Sequence, residues 1–485
     1  MQELRDLSGV IGLATWDQET YMPRKADAAR ASQLATLQGL YHERLVEPAL
    51  GDWLSAARGL PADEQAMVRV LAHERDRAVK VPARLVKELA EAQSHAISAW
   101  KEAREKNDFA PFRPHLERLL ALRREQADAI GHGGERYDAL LDNYEPGMKV
   151  ARLTPVLQQL RTKLTPIVET LAAAPPPKDV FAGKKFDVDA QWKFTLELLS
   201  GMGFDLEAGR QDKSVHPFTG GTHPRDVRLT TRFQLDTPLP ALFGAIHEGG
   251  HGLYEQGFAD EHHRTPIAAA PSMGLHESQS RLWENVVGRS REFWTSFFPR
   301  LQKLFPSELG AVSLDELHRA VNRVERSFTR VEADEVTYNL HVVLRYELEL
   351  ELLRGALPVA ELPEAWNAKM KSMLGIVPPN PTLGVLQDIH WAWGEFGYFP
   401  TYALGNLYSA SLFKAATAQV PGLVDSIARG DLLPLRDWLR AKVHREGFRY
   451  FAEDLVTRVT GRGLTDEDFI AYLRAKYSAL YGVAL

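Results

Sequence analysis

The 485-residue sequence contains no cysteine, which excludes disulfides, cysteine-ligated zinc, iron–sulfur clusters and thiol catalysis. It has no run of 18 consecutive apolar residues, and its acidic first residues do not resemble a secretory signal. Positive charge is not in excess either, because 58 basic and 64 acidic residues give a net charge of −6. We therefore expect no nucleic-acid or membrane partner, and the simplest expectation is a soluble cytoplasmic protein.

Most of the sequence shows helical periodicity. Leucines recur at helical spacing within residues 34–41 and again within residues 116–122. Three alanines and three prolines at residues 172–177 end a helix and form a surface connection. We expect a mainly α fold in one domain over residues 1–485, with room for two lobes that meet near residues 172–178.

One segment departs from the helical pattern. Residues 226–233 alternate, with Val227 and Leu229 on one face and Arg228 and Thr230 on the other, which predicts a half-buried strand in a small sheet. We expect this strand, with Arg228, to lie at the edge of the sheet, where it can hold a peptide backbone. Thr237, followed by a proline, predicts the start of the next helix.

That helix carries the motif His247-Glu248-Gly-Gly-His251. A spacing of four residues places the two imidazoles about 40° apart on one face, where both can reach one ion. The pattern is typical of zinc proteases, in which the metal has three protein ligands and activates a water molecule. Glu248 would be the general base that takes the proton of this water and gives it to the leaving amine. Glycines inside the helix indicate that something packs closely against it.

The third metal ligand is not part of this motif. Glu277 is expected to head a second helix, with Arg281 and Glu284 following at helical spacing, so Glu277 can bind the metal while the other two orient the ligands. Three histidines are rival ligands: His276, His262 and His263.

Several short motifs occur in order along nearly the whole chain: Thr15–Pro23, Arg30–Leu37, His216–Phe218, Asp226-x-Arg228-x-Thr230, His247–His251, His276–Ser278, Arg330-x-x-Ala333-Asp334 and Gly384-x-x-Gln387-Asp388-x-His390-Trp391. Taken together they resemble the carboxypeptidase Taq family of metallocarboxypeptidases. The sequence departs from the family at Thr329, where isoleucine usually precedes the arginine.

The resemblance implies a mainly α, zincin-type fold similar to neurolysin and angiotensin-converting enzyme, with a deep active-site groove and a small β-sheet. It implies a metal-dependent enzyme that releases single amino acids from peptide C-termini, and a homodimer. Carried onto this chain, His247, His251 and Glu277 match the metal ligands, and Glu248 matches the catalytic carboxylate. The expected cofactor is one zinc ion per chain, with cobalt as a possible substitute.

A carboxypeptidase must also hold the terminal carboxylate of its substrate, which an arginine does best. Arg330 is the preferred anchor, while Arg228 would position the peptide or close the groove. The developing oxyanion needs a hydrogen-bond donor as well. The candidate donors are His390, Tyr398 and Tyr402, and His216 would serve the same end or hold substrate.

Two alternatives share the metal motif. A zinc endopeptidase or oligopeptidase would differ only in how the substrate ends are held. A peptide-binding scaffold would keep the helix and the metal without turnover, and such a protein would have no need of an intact Glu248.

Overall fold

The computed structural model describes residues 1–485 and is mainly helical, as predicted, with one small sheet. The first seven helices are α1 Gln2–Thr20, α2 Asp27–Val46, α3 Pro48–Ala56, α4 Ala62–Lys80, α5 Ala83–Lys106, α6 Arg113–Ile130 and α7 Arg136–Leu141. The next seven are α8 Val150–Ala173, α9 Val188–Met202, α10 Leu239–Glu255, α11 Met273–Arg281, α12 Arg291–Leu304, α13 Pro306–Leu309 and α14 Leu314–Val321. The last seven are α15 Tyr338–Arg354, α16 Leu362–Leu374, α17 Pro400–Gln419, α18 Leu423–Ala428, α19 Leu433–Lys442, α20 Ala452–Thr460 and α21 Glu467–Tyr481. None of the helices combines the length and the apolar character that crossing a membrane requires.

The core is one cluster of 99 buried residues that draws on the chain from α5 to α21. The first four helices contribute to smaller clusters of their own, one of which contains Leu4, Leu45, Leu50 and Leu71. A cavity of about 800 Å³ lies between the first four helices and the main core. Its walls come from α2 and α4 on one side and from α10, α11 and α17 on the other.

The sheet has three strands, β1 Gly209–Lys213, β2 Thr219–His223 and β3 Asp226–Thr231, in the order β1-β3-β2. β1 pairs parallel with β3, and β2 pairs antiparallel with it. The predicted strand is thus β3, which is central and is buried at Thr230 as well as at its apolar residues. The expectation that Arg228 lies on an edge strand is wrong, because β1 pairs with the other side of β3. The polar sequence of β1 has no alternation of polar and apolar residues, so the sequence does not predict this strand. The edge strand beside the cavity is β2.

Helix boundaries near the motifs follow local hydrogen bonds. α10 begins at Leu239, whose N–H lies 3.3 Å from the hydroxyl of Thr237. α11 begins at Met273, where the Ser272 hydroxyl accepts from the Leu275 N–H at 3.0 Å. Glu277 therefore lies in the middle of this helix and not at its head.

Two glycines let α10, α11 and α17 approach one another at backbone distance. A Cβ atom at Gly250 of α10 would lie 2.7 Å from the carbonyl oxygen of Gln279 on α11. A Cβ atom at Gly405 of α17 would lie 2.5 Å from Cγ of Glu277. Glycine at these positions allows the middle of α11 to pack tightly between the other two helices. This close packing explains why glycine occurs inside a helix, where it lowers the stability of the helix itself.

Gly250→Ala is expected to lower the free energy of unfolding by about 1–3 kcal/mol, because the added methyl group meets backbone atoms that cannot move aside. It should also weaken metal binding by pushing α11 away. Thermal melting and metal content measure the two effects. Gly39→Ala in α2 is the control, since no atom lies within 4 Å of the position that its added methyl group would take. Unchanged melting of Gly250→Ala would contradict the close-packing argument.

Candidate metal centre

The side chains of His247, His251 and Glu277 converge at the floor of the cavity. One ligand atom from each lies within 4.8 Å of the other two. Oε2 of Glu277 is 3.3 Å from Nε2 of His251 and 3.7 Å from Nε2 of His247. Two helices supply the three atoms, since α10 presents both imidazoles from one face and α11 presents the carboxylate.

This donor set fits a catalytic zinc ion. Tetrahedral ligands at about 2.0–2.1 Å from zinc lie roughly 3.3–3.4 Å from each other, close to the two separations that involve Glu277. Two imidazoles and one carboxylate form one of the usual three-ligand sets, which leaves a fourth position for water or substrate. All three residues also line the cavity, so that position is open to a peptide.

A carboxylate holds the first imidazole. Nδ1 of His247 is 2.9 Å from Oε2 of Glu284, which leaves Nε2 for the metal. Glu284 lies in a π-helical turn, residues Leu282–Val287, that continues α11. Arg281 donates to Glu277 at 2.7 Å, and Arg289 donates to Glu284 at 3.2 Å, so that each carboxylate has its own guanidinium.

A histidine holds the second imidazole. Nδ1 of His276 is 2.5 Å from Nδ1 of His251, and Nε2 of His276 is 2.7 Å from Oε1 of Glu255. These two contacts connect Glu255, His276 and His251, and they fix the ring of His251 with Nε2 towards Glu277. Hydrogen-bond partners behind a metal-binding histidine orient its ring in this way. His276 is therefore placed behind a ligand and outside the donor group.

The electrostatics favour binding-competent protonation states at Glu277 and His251. At His247 burial lowers the pKa, but Glu277 and Glu284 outweigh it and raise this pKa, so a metal would displace a proton from that ring. Burial raises the pKa of Glu277, but Arg281 and His247 outweigh it and hold this pKa well below its usual range. Burial, together with the neighbouring His276, lowers the pKa of His251 to about 3, so the ring is neutral near pH 7. A metal binds the ionised carboxylate and the neutral imidazole, which are the forms that this environment stabilises.

Glu248 lies beside the donor group without belonging to it. Its carboxylate is buried, and its Oε2 accepts a hydrogen bond from the Thr219 hydroxyl at 2.6 Å. Burial raises the pKa of Glu248, and the neighbouring His247 opposes that shift. A carboxylate so placed has the position and the basicity of a proton acceptor at the metal.

The part of the cavity wall that comes from α17 and the loop before it is aromatic. Tyr398 and Tyr402 line it, with ring centroids 5.3 Å apart, and Tyr144 packs edge-on against Tyr398. Nε2 of His390 is 3.4 Å from the hydroxyl of Tyr402. Burial lowers the pKa of His390 to about 3, which keeps the ring neutral. The structure thus brings the three predicted oxyanion donors together, with the two tyrosines on the cavity wall and His390 in contact with one of them.

The two candidate arginines lie in different surroundings. Arg330 is buried behind Tyr402, with Cζ 4.8 Å from the ring, and it donates twice to Oδ1 of Asp388 and once to Tyr338. Arg228 donates twice to Asp226. Its Cζ lies 4.5 Å from the ring of Trp16 in α1, in a second surface pocket away from the metal ligands.

The remaining predicted residues do not reach the donor group. His262 lies between Arg449 and Asp63, and His263 packs against His223. His216 is exposed, although Pro217 and Phe218 after it line the cavity. Of the rival third ligands, none lies among the clustered donors.

Comparison with known proteins agrees with this geometry. The family model for carboxypeptidase Taq (M32) metallopeptidases matches residues 1–477. The chain belongs to this family. It is therefore a metallocarboxypeptidase, a peptide hydrolase that depends on a divalent metal, and the resemblance drawn from its motifs is confirmed.

The relatives match over nearly their full lengths. Thermostable carboxypeptidase 1 of Thermus thermophilus is 47% identical over 99% of this chain and 97% of its own. Carboxypeptidase 1 of Bacillus subtilis is 36% identical with the same coverage. The crystal structure of an M32 carboxypeptidase from Deinococcus radiodurans superposes with a TM-score of 0.97, at 40% identity over 99% of this chain and 98% of that one. A structure of Pyrococcus furiosus carboxypeptidase gives 0.95 at 34% identity, over 98% and 97% of the two chains.

Three residues at this site are absent from the predictions made from the sequence. Glu255 follows His251 by four residues, so helical spacing from the motif could have found it. Thr219 directly follows the His216–Phe218 motif, which is a weaker signal. No sequence pattern indicates Glu349. Its buried carboxylate accepts hydrogen bonds from the Tyr137 hydroxyl, the Trp391 indole and the Gly397 N–H. These contacts hold the loop that carries His390 and Tyr398.

Glu284→Gln is expected to lower zinc affinity about 10- to 100-fold, because a neutral amide holds the His247 ring less firmly than a carboxylate. Competition with a chromogenic chelator measures the affinity directly. Glu197→Gln, which changes an exposed partner of Arg300, is the control and should bind zinc normally. Equal affinity in both variants would show that Glu284 does not support the ligand.

Proposed function

We propose that this enzyme is a zinc carboxypeptidase that releases single amino acids from peptide C-termini, with Glu248 as the general base. One observation carries the proposal: the donor group of His247, His251 and Glu277 faces the cavity with the buried Glu248 carboxylate beside it. A purely structural zinc site would have four protein ligands and no need of an adjacent base.

The protein groups divide the chemistry between them. Zinc, when bound by the three donors, would lower the pKa of a water molecule and polarise the scissile carbonyl. Glu248 accepts the proton of the attacking water and later passes it to the amine of the departing residue. Its buried position raises its pKa, which makes the carboxylate a stronger base and so favours acceptance of the proton from water.

Arg330 is the proposed anchor for the free carboxylate of the substrate. Its contacts with Asp388 and Tyr338 use three of its five N–H groups, so two remain. Asp388 is shared with Arg345, which donates to Oδ2 at 2.7 Å. Two guanidinium groups facing one carboxylate leave a net positive charge, which favours a second anion.

Tyr398 and Tyr402 are the proposed oxyanion donors. Burial raises the pKa of Tyr398 to about 12 and that of Tyr402 well above its usual value, so both keep their hydroxyl protons. Neutral His390 beside Tyr402 orients that hydroxyl. Substrate binding at His216 and at Arg228, homodimer formation and a cytoplasmic location stay predictions.

A matched pair of short peptides tests the reaction. The peptide with a free C-terminal acid should lose single residues stepwise, while its C-terminal amide should be spared, because only the acid can engage the anchor. Mass spectrometry of the digests reads the products. Internal cleavage of both peptides would contradict the carboxypeptidase proposal and favour an endopeptidase.

Glu248→Gln tests the base in the same assay. The variant should keep its metal and lose about 10²–10⁴-fold in kcat, because the amide cannot accept the proton. Chelation should abolish wild-type activity, and added zinc or cobalt should restore it. A fully active Glu248→Gln enzyme would refute the proposed mechanism.

Arg330→Gln tests the anchor. The change should lower kcat/KM for free-acid peptides by about 100-fold or more, as for loss of a charged partner in a buried site, while Asp388 keeps Arg345 as its partner. Arg228→Gln, made in parallel, should have a smaller effect. If Arg228→Gln shows the larger loss, the anchor has been assigned to the wrong arginine.

A further inference from the structure

The hydroxyl of Thr219 is the one side-chain group that hydrogen-bonds the Glu248 carboxylate. We infer that Thr219 is a positioning residue for the reaction, which holds Oε2 of Glu248 so that Oε1 faces the water and the scissile bond. The inference deepens the proposed function and rests on the role of Glu248 as the base.

The geometry of the contact supports a fixed orientation. Oγ1 of Thr219 is 2.6 Å from Oε2 of Glu248 and 3.1 Å from the carbonyl oxygen of the same residue. A hydroxyl has one proton to donate, and an ionised carboxylate oxygen at the shorter distance is the stronger acceptor. The second oxygen, Oε1, receives no hydrogen bond from another side chain.

The strand makes Thr219 a rigid donor. Thr219 begins β2 and pairs with Leu229 of the central strand, so its backbone is held by the sheet. Its β-branched side chain has few rotamers, which limits the directions in which the hydroxyl can point. Glu248, in contrast, has a long side chain that needs an external contact to adopt one orientation.

The surroundings explain why such a contact is needed. Glu248 adjoins His247 in the chain, and the negatively charged Glu277 carboxylate lies 3.7 Å from Nε2 of His247 and lines the same cavity as Glu248. Released from Thr219, the Glu248 carboxylate would turn away from Glu277 or compete for the metal. Either movement would remove the base from the reacting atoms without changing the three ligands.

The position in the cavity agrees with a role in catalysis. Pro217, Phe218 and Thr219 all line the same cavity as the donor group, and β2 is the edge strand there. Thr219 therefore belongs to the strand beside the substrate and is also the hydrogen-bond partner of the base. A peptide that moves β2 would move Glu248 with it.

Thr219→Val removes the hydroxyl and keeps the shape of the side chain. We expect kcat on a free-acid peptide to fall about 10- to 100-fold, as for loss of a hydrogen bond to a charged group, with KM changed less than about twofold. Zinc content and melting temperature should stay at wild-type values, which a purely structural role would not allow. Thr219→Ser, which restores the hydroxyl, should recover kcat to within about threefold of wild type.

Thr222→Val is the matched control on the same strand. Its hydroxyl donates to Asp226 at 2.8 Å and does not reach Glu248, so kcat should be unchanged. Wild-type kcat in Thr219→Val, or a loss that is accompanied by lost zinc or lower melting temperature, would overturn the positioning role.

A double-mutant cycle separates this inference from the proposed function. In the Glu248→Gln background Thr219→Val should cause no further loss, because the group that Thr219 positions has already been removed. An additive loss would show that Thr219 acts elsewhere and would overturn the inference alone. An active Glu248→Gln enzyme would overturn the role of the base itself, whatever Thr219 does.

Discussion

The backbone contact between α10 and α11 is the constraint on which the site depends. Gly250 lets the two helices meet at a distance that no other residue permits, and Gly405 brings α17 against the same segment. The imidazoles and the Glu277 carboxylate can share one ion only because their backbones are this close. Glycine inside a helix lowers the stability of that helix, but a metal site made from these two helices requires it.

Close packing buries charge, and the arrangement of charges then decides what the site can do. Glu277 and Glu284 are each matched by an arginine, since an unpaired buried carboxylate would cost several kcal/mol. Glu248 has no cation of its own and relies on a neutral hydroxyl. The paired carboxylates stay ionised and can bind and orient, while the one without a guanidinium is the one proposed to exchange a proton. Two roles for chemically identical groups therefore follow from their neighbours.

The sequence predicted the parts of this site that lie close together along the chain. The spacing of His247 and His251 follows from helix geometry alone, and Arg281 and Glu284 follow Glu277 by the same rule. The family resemblance was needed to choose Glu277, because helical spacing says nothing about which two helices touch. β1 and β2 were missed because they are short, polar or glycine-rich, and are held by their neighbour β3. Likewise, the Glu349 carboxylate hydrogen-bonds Trp391, which lies 42 residues away in the sequence, and Thr219 hydrogen-bonds Glu248, which lies 29 residues away. No local pattern records contacts of that kind.

Tyr338 lies between the arginine that supports a metal ligand and the arginine proposed as the anchor. Its ring lies 4.5 Å from Cζ of Arg281, which holds the Glu277 ligand, and its hydroxyl accepts from Arg330 at 2.9 Å. One side chain thus separates the guanidinium that supports the ligand from the one proposed to bind the carboxylate. In a carboxypeptidase the scissile carbonyl and the terminal carboxylate belong to adjacent residues, and consecutive Cα atoms are about 3.8 Å apart. If Arg330 binds the terminal carboxylate as proposed, it favours cleavage of the last peptide bond, because a bond further inside the chain would bring a neutral amide to this cation. The same donor group without that buried cation would have no reason to prefer a chain end.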